Sequence, residues 1–385
     1  MSPPAAGDAT APHRRILVIV VALILYGSLY PWQFYARHYP HSPPWILLHA
    51  WPARLDRFLI WDVAVNVVLY LPLGIFAYLA VSRKSSLLAR IGLPLGLALL
   101  LSSSIEMIQL FDDSRMCSLS DVASNVAGAA IGIACGALYR RAFDRLLSRD
   151  TASSLLRPTG ALLLLCCWLG YQIFPLFPSW GRTNLMRRIA VLRHSDLSSA
   201  DTLIVIAEWL VVACLIESIL AGRTNRLLAL LLLLVPARLL IASRTLAWSD
   251  IVGAAGAFVI WLCVPHRYIR RAAPTLLAFA VIVAELAPFH LEGVRAFNWV
   301  PFRGYFRTDW QDGFVVLFRK SFWYGSTLWL WRAAGFRLLW ITTIVAVALF
   351  LLEQAQVFLP GRTPEITDSV LAILMGVLLW ILRDA

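Results

Sequence analysis

Charge is what this sequence has least of. Only 15% of its 385 residues are Asp, Glu, Lys or Arg, against 60% hydrophobic, which leaves too little polar surface to cover a soluble globule. No stretch remains for a soluble domain. Cysteine is sparse as well: of the six, Cys135, Cys166, Cys167, Cys214 and Cys263 fall inside apolar runs, and only Cys117 lies near an edge. No disulfide framework or Cys metal site is indicated. Nucleophile motifs, metal-ligand sets and phosphate loops do not stand out, and no cofactor is expected. His38, His41 and His49 share one segment rich in Pro and Trp, which reads as interfacial anchoring rather than as a metal site.

Apolar runs are what the chain has in abundance. About twelve are long enough, at roughly 17 to 25 residues, to cross a bilayer. They group in fours: about residues 16–31, 60–81, 91–110 and 119–138; then 159–176, 202–221, 227–243 and 249–265; then 272–289, 311–331, 337–359 and 367–383. The expected fold is an all-α polytopic transmembrane bundle of three four-helix units, dividing the chain at 1–150, 151–271 and 272–385. The first run follows Arg14 and Arg15 like a signal peptide, but it lacks a small-x-small cleavage site and reads as an uncleaved first helix.

A nine-residue frame supports the grouping. "RMCSLSDVA" from Arg115, "RTLAWSDIV" from Arg244 and "RTPEITDSV" from Arg362 each place an Arg six residues before an Asp, at Asp121, Asp250 and Asp368. Each Asp opens the fourth run of its group, the mark of an internal repeat. A second landmark closes the first run of each group: Pro31, Pro175 and Pro288, preceded one turn earlier by Ser28, Gln172 and Glu285. The tenth run carries Arg319 and Lys320, and charge at membrane depth is expensive, so this stretch is expected to be short, broken or re-entrant.

Orientation follows from Lys and Arg. With Arg14 and Arg15 cytoplasmic, the inner loops hold Arg83, Lys84, Arg90, Arg223, Arg226, Arg267, Arg270, Arg271, Arg332 and Arg337. An even number of runs returns the C-terminus to the same side, and the Arg/Asp frames face outward. The formal charge of +12 then reflects topology and attraction to anionic lipid rather than nucleic-acid binding.

The chemistry lies just upstream of each frame. Glu106 and Gln109 are three residues apart on one helical face, and Glu353 and Gln356 repeat the pattern, each Glu nine residues before its Arg. The second group holds Val235 and Arg238 at those places and has lost the carboxylate. A carboxylate inside a span is a functional hypothesis, because burying it in hydrocarbon costs several kcal/mol unless it is paired or hydrated. Arg115 is expected to reach back to Glu106 or across to Asp121. The competing reading is a structural clasp between the third and fourth runs.

These residues resemble the VanZ-like membrane proteins. The resemblance rests on "NVVLYLPLGIFAYL" with Asn66, Pro72 and Gly74, on "SIEMIQLF" with Glu106 and Gln109, and on "SRMCSLSDVASNVAGAAIG" with Arg115, Asp121, Asn125 and Gly128. "FNWVPFRGY", with Asn298, Pro301 and Phe302, is similar to the family's Asn-x-x-Pro-Phe stretch, and Glu353, Gln356, Arg362, Glu365 and Asp368 follow its pattern, so the third group looks like a second copy. Ser118 stands where the family usually has an acid, and Ala372 where the first group has Asn125. The resemblance implies a bacterial cytoplasmic-membrane protein and a link to teicoplanin tolerance, without an agreed reaction.

The residues Asn66, Glu106, Gln109, Arg115, Asp121 and Asn125, with Glu353, Gln356, Arg362 and Asp368, are therefore the candidate ligand-binding set. Their amides and guanidinium suit a phosphate or sugar head, and the expected partners are membrane lipids or a lipid-linked envelope precursor. A transporter or flippase is the alternative. An intramembrane enzyme using Glu106 or Asp121 as general acid or base is the third reading.

Overall fold

A computed structural model describes residues 10–51, 57–112, 117–147, 159–174, 181–220, 223–241, 245–287, 289–307 and 310–382, with backbone alone at 57–61, 142–147, 182–184, 306–307 and 310–311. Arg115, Arg244, Pro175 and Pro288 lie outside the described residues. Two compact units are present, residues 1–153 and 154–383.

The first unit is built from α1 (Ala11–Leu29), the short α2 (Pro43–His49), α3 (Arg57–Ala80), α4 (Leu87–Gln109) and α5 (Leu119–Leu147). The second contains α6 (Thr159–Ile173), α7 (Arg182–His194), α8 (Ser199–Ile219), α9 (Thr224–Leu231), α10 (Leu234–Ala237), α11 (Trp248–Cys263), α12 (His266–Leu286), α13 (Arg303–Arg307), α14 (Trp310–Ala333), α15 (Leu338–Gln356) and α16 (Thr367–Leu382). The fold is all-α. Six of these helices, α1, α3, α4, α5, α8 and α15, are long and apolar enough to cross a membrane, and α6, α11 and α16 are shorter apolar helices. Large apolar side chains such as Leu88, Leu339 and Leu351 stand fully outward, as expected where hydrocarbon replaces water.

In the first unit α3 meets α5 backbone to backbone. A Cβ on Gly74 would lie 2.0 Å from the Ala129 carbonyl oxygen, and one on Gly128 2.3 Å from that of Val67. Gly128, Gly132 and Gly136 recur every fourth residue, the small-residue spacing that lets membrane helices close up without a hydrophobic driving force. At the opposite end Arg140 donates to the carbonyls of Tyr78, Leu79 and Val81, satisfying the groups that the end of α3 leaves unpaired.

The larger unit centres on α8, whose residues Ala207–Ile216 are all buried. It packs against α6, α11 and α12, with Trp168, Trp209 and Trp261 in the core. The seventh run is not one helix but two, followed by a 3-10 turn at Arg238–Leu240. Pro236 explains the break: without an N–H it cannot continue a helix, but it fits the first turn of a new one, α10. The tenth run differs from expectation in the other direction, since α14 is continuous over 24 residues despite Arg319 and Lys320. Its charges are compensated inside the unit, which removes the cost that led to the expectation of a break. The polar helix α7 has no apolar run and was not anticipated.

Candidate functional site

In the first unit Glu106 is 3% exposed and accepts the Ser118 N–H at 2.8 Å. One turn on, at the end of α4, Gln109 donates to the Ser28 carbonyl at 2.7 Å, and Asn125 on α5 donates to the Ser102 hydroxyl at 2.9 Å. Asp121 opens α5 beside Ser120. Asn66 stands one turn before Tyr70 on α3, and among the described residues no hydrogen bond joins it to the others. Cys117, in the loop above Glu106, has its thiol pushed up to about 11, by burial first and then by the charges of Glu106 and Asp121. These side chains knit α1, α4 and α5 together.

The third group, α12 and α14–α16, repeats the pattern, displaced by 247 residues at the Glu and Gln and by 257 at the first helix. Glu353, also 3% exposed, accepts the Glu365 N–H at 2.9 Å, and Gln356 donates to the Glu285 carbonyl at 3.2 Å. The backbone agrees: Tyr35 donates to Phe111 as Glu292 does to Phe358, and Leu119 donates to Ala50 as Ile366 does to Asn298. Trp32 and Phe289, each just past the first helix of its group, share a left-handed φ of 59° and 61°.

Arg362 does not make the pairing expected of its counterpart Arg115. Its guanidinium donates to the carbonyls of Ala284 and Ala287 at the end of α12 and lies 3.4 Å from Glu285, rather than reaching Glu353. The eight residues between Glu353 and Arg362 include a turn at Gly361, whose φ of 70° carries the chain over α12 instead of back along α15. Because Arg115 is outside the described residues, its expected approach to Glu106 is not described.

A second difference separates the two groups. When Glu353 is laid on Glu106, the places of Gly128 and Gly132 fall to Met375 and Leu379. There α16 meets α14 through the Met375 side chain on Gly325 rather than backbone to backbone, and polar groups lie above. Lys320 donates to both Asp368 oxygens, at 2.6 and 2.8 Å, with Glu285 at 3.7 Å and the Tyr324 hydroxyl on Asp368 at 2.7 Å. Lys320 is ten residues into α14, about 15 Å along its axis, so this ion cluster sits well inside the bundle. The Asn298 segment runs beside Glu365 as a parallel bridge, and α13 follows it, placing the Gly304 N–H on the Glu365 carboxylate at 3.0 Å. Tyr305, outside the spans, has its phenol raised above the ordinary range by burial.

These groups enclose a cavity of about 260 Å³. Five carboxyl groups face it, from Glu285, Asp312, Glu353, Glu365 and Asp368, against three bases, Arg319, Lys320 and Arg362. Glu353, Gln356, Arg362 and Asp368 of the candidate set are thus brought to one space. Glu285, Lys320, Arg319 and Tyr305 were outside that set. The signal for Lys320 was present, a base within an apolar run, but it was weighed only as an obstacle to spanning.

Residues 16–140 match the VanZ/LLP1 family. Residues 16–140 therefore carry a VanZ/LLP1 domain, and six helices long and apolar enough to cross a membrane make the chain a multi-pass membrane protein. No curated protein and no solved structure matches the chain.

The group between the two has its own buried acid. Glu208 on α8 is 2% exposed and accepts the indole N–H of Trp323 from α14 at 2.6 Å. Arg319 lies over that indole at 4.8 Å and near the Tyr171 ring at 5.9 Å. Asp250, the Asp of this group's Arg/Asp frame, pairs with Arg238 at 2.9 Å and caps α11 by accepting the Ala247 N–H. Arg238 stands where the first group has Gln109, so the frame here closes on itself.

Proposed function

We propose that the third group of helices is a second, divergent VanZ-like copy, and that its cavity binds the polar head of an envelope lipid or lipid-linked saccharide from the extracytoplasmic side. The observation carrying this reading is the cavity itself: about 260 Å³ of space lined by five acids, four of them buried, and three half-buried bases in a chain otherwise poor in both. Small-molecule pockets run from about 300 to 1,000 Å³, so this one suits a head group or a single sugar ring. Its mouth lies at the helix ends, between the turn at Gly361 and α13, where a head group would enter while the acyl chains stay in hydrocarbon.

Binding is favoured over transport by what lies beneath. Tyr324, Leu328, Met375 and Leu379 are buried below the ion cluster, and alternating access would require a polar route past them. The reading places twelve membrane-embedded segments in a bacterial cytoplasmic membrane with both termini inside, and it makes a role in envelope biogenesis or teicoplanin tolerance the expected phenotype. Native mass spectrometry of the protein purified in mild detergent tests it. The expected result is a retained lipid class that is lost in Glu353→Gln while thermal stability is kept. An identical lipid complement in both proteins would remove the cavity as the site.

A further inference from the structure

We propose that Arg319 receives a phosphate group of the ligand in this cavity, and that Trp323 and Glu208 are positioning residues that hold its guanidinium there. The inference rests on the head-group reading above and adds the chemistry of the ligand, with a role for the middle group of helices.

The three bases that line the cavity are not equally occupied. Lys320 donates to both Asp368 oxygens and lies 3.7 Å from Glu285. Arg362 is spread over Glu285 and the carbonyls of Ala284 and Ala287. Arg319 has no carboxylate within ion-pair distance among the described residues. Its neighbours are two aromatic rings, Trp323 at 4.8 Å and Tyr171 at 5.9 Å, and its Nε is buried without a hydrogen-bond partner.

This difference has a chemical meaning. A guanidinium carries its N–H donors in its plane, so stacking on an aromatic ring uses the face and leaves the donor edge free. Arg319 is thus stabilised as a cation without being consumed by an acid. Its planar fork matches a phosphate, whose oxygens accept two parallel N–H bonds. The acids of the cavity are engaged elsewhere: Glu285 and Asp368 with Lys320 and Arg362, and Glu353 and Glu365 each with a backbone N–H. Asp312 is two turns back along α14, about 10 Å from Arg319 along the axis, and Val316 stands between them on the lining face.

The guanidinium is oriented from outside the cavity. Trp323 is buried, and its indole N–H is held by Glu208 on α8 at 2.6 Å. That bond fixes the plane of the ring on which Arg319 rests. Turning the indole would withdraw that surface and leave a buried acid without its donor. Glu208 does not itself line the cavity, so its influence on the ligand passes through Trp323 and Arg319.

Calorimetric titration of the full-length protein in mild detergent with short-chain phosphatidate, inorganic phosphate and the matching phosphate-free diacylglycerol tests this. Phosphatidate should bind at least about tenfold more tightly than diacylglycerol, as one charge-assisted pair implies. Arg319→Gln should lose that preference, and Arg319→Lys, which keeps the charge but not the fork, should reduce it. Glu208→Gln still accepts the indole N–H and should retain the preference, whereas Glu208→Leu should weaken phosphatidate binding and leave diacylglycerol binding unchanged. Binding of inorganic phosphate supports the site with a free anion as sufficient ligand; binding of phosphatidate alone supports it with a lipid head as the source. Equal wild-type affinity for phosphatidate and diacylglycerol overturns the proposal and requires no variant to fold. Equal losses in Glu208→Gln and Glu208→Leu overturn the positioning role. Lipid retained on purification by wild type and Arg319→Gln alike overturns Arg319 as the receptor while leaving the head-group reading in place. No binding of any probe, together with no lipid retained, fails the head-group reading itself.

Discussion

The first and third groups of helices make the same backbone and side-chain bonds around Glu106 and Glu353, yet the first brings α3 and α5 backbone to backbone and the third holds a cavity. Three glycines on α5 let it lie against α3, and the polar residues above are consumed in holding helices together. In the third group Met375 meets α14 at Gly325 instead, and Lys320, Asp368 and Glu285 lie above. The contrast teaches that a shared polar frame can stand over either a backbone contact or a cavity, with the side-chain volume one layer deeper differing between the two.

The strongest test of that contrast is steric. Gly128→Ala puts a methyl 2.3 Å from the Val67 carbonyl oxygen, and the helices must part, at an expected cost above about 4 kcal/mol; the protein should vanish from the membrane fraction. Met375→Gly removes volume instead and costs about 2 to 5 kcal/mol, with the protein still present. Equal loss in both would show that closeness is not what distinguishes the two groups.

Next in size is the ion cluster. Asp368→Asn leaves Lys320 with Glu285 at 3.7 Å as its remaining carboxylate and is expected to cost about 3 to 5 kcal/mol. Adding Lys320→Met should restore part of that stability in thermal unfolding of the detergent-solubilised protein. Failure to restore any would mean that Lys320 is hydrated rather than paired.

Smaller effects on stability, with a functional difference, are expected at the two glutamates. Gln at either place still accepts the backbone N–H that Glu106 or Glu353 accepts, so each change should move stability by no more than about 1 kcal/mol. Lipid retention should fall only for Glu353→Gln. A loss in Glu106→Gln as well would give the first unit a binding role.

The subtlest expectation concerns Cys117. With its thiol at about 11 instead of 9.0, thiolate is about 100-fold scarcer at neutral pH, so alkylation should be slow and should accelerate only as pH rises toward that value. Glu106→Gln removes one of the charges raising it and should speed the reaction.

Much of this architecture was legible beforehand. Eleven of the twelve runs correspond to helices at the expected places, and the paired Glu and Gln make matching backbone bonds in the first and third groups. The seventh run was misjudged because composition counts apolar residues while Pro236 acts through a missing N–H. The continuity of α14 was hidden because the partners of Lys320 are 35 and 48 residues away in sequence, and a local window cannot weigh them. Glu208 was hidden for a similar reason, since its donor Trp323 comes from a different group of helices. The role of Gly128 and Gly132 required knowing which helix they face.

That bond between Trp323 and Glu208 bears on how the chain can be inherited. A break near residue 271 would strip Glu208 of its indole donor and Arg319 of Tyr171, leaving an acid and a base stranded in two apolar fragments. A break near residues 153 and 154 cuts between compact units and strands neither. Gene fission or shuffling along this lineage should therefore find the first unit, α1–α5, travelling alone, and the second unit moving as a single block.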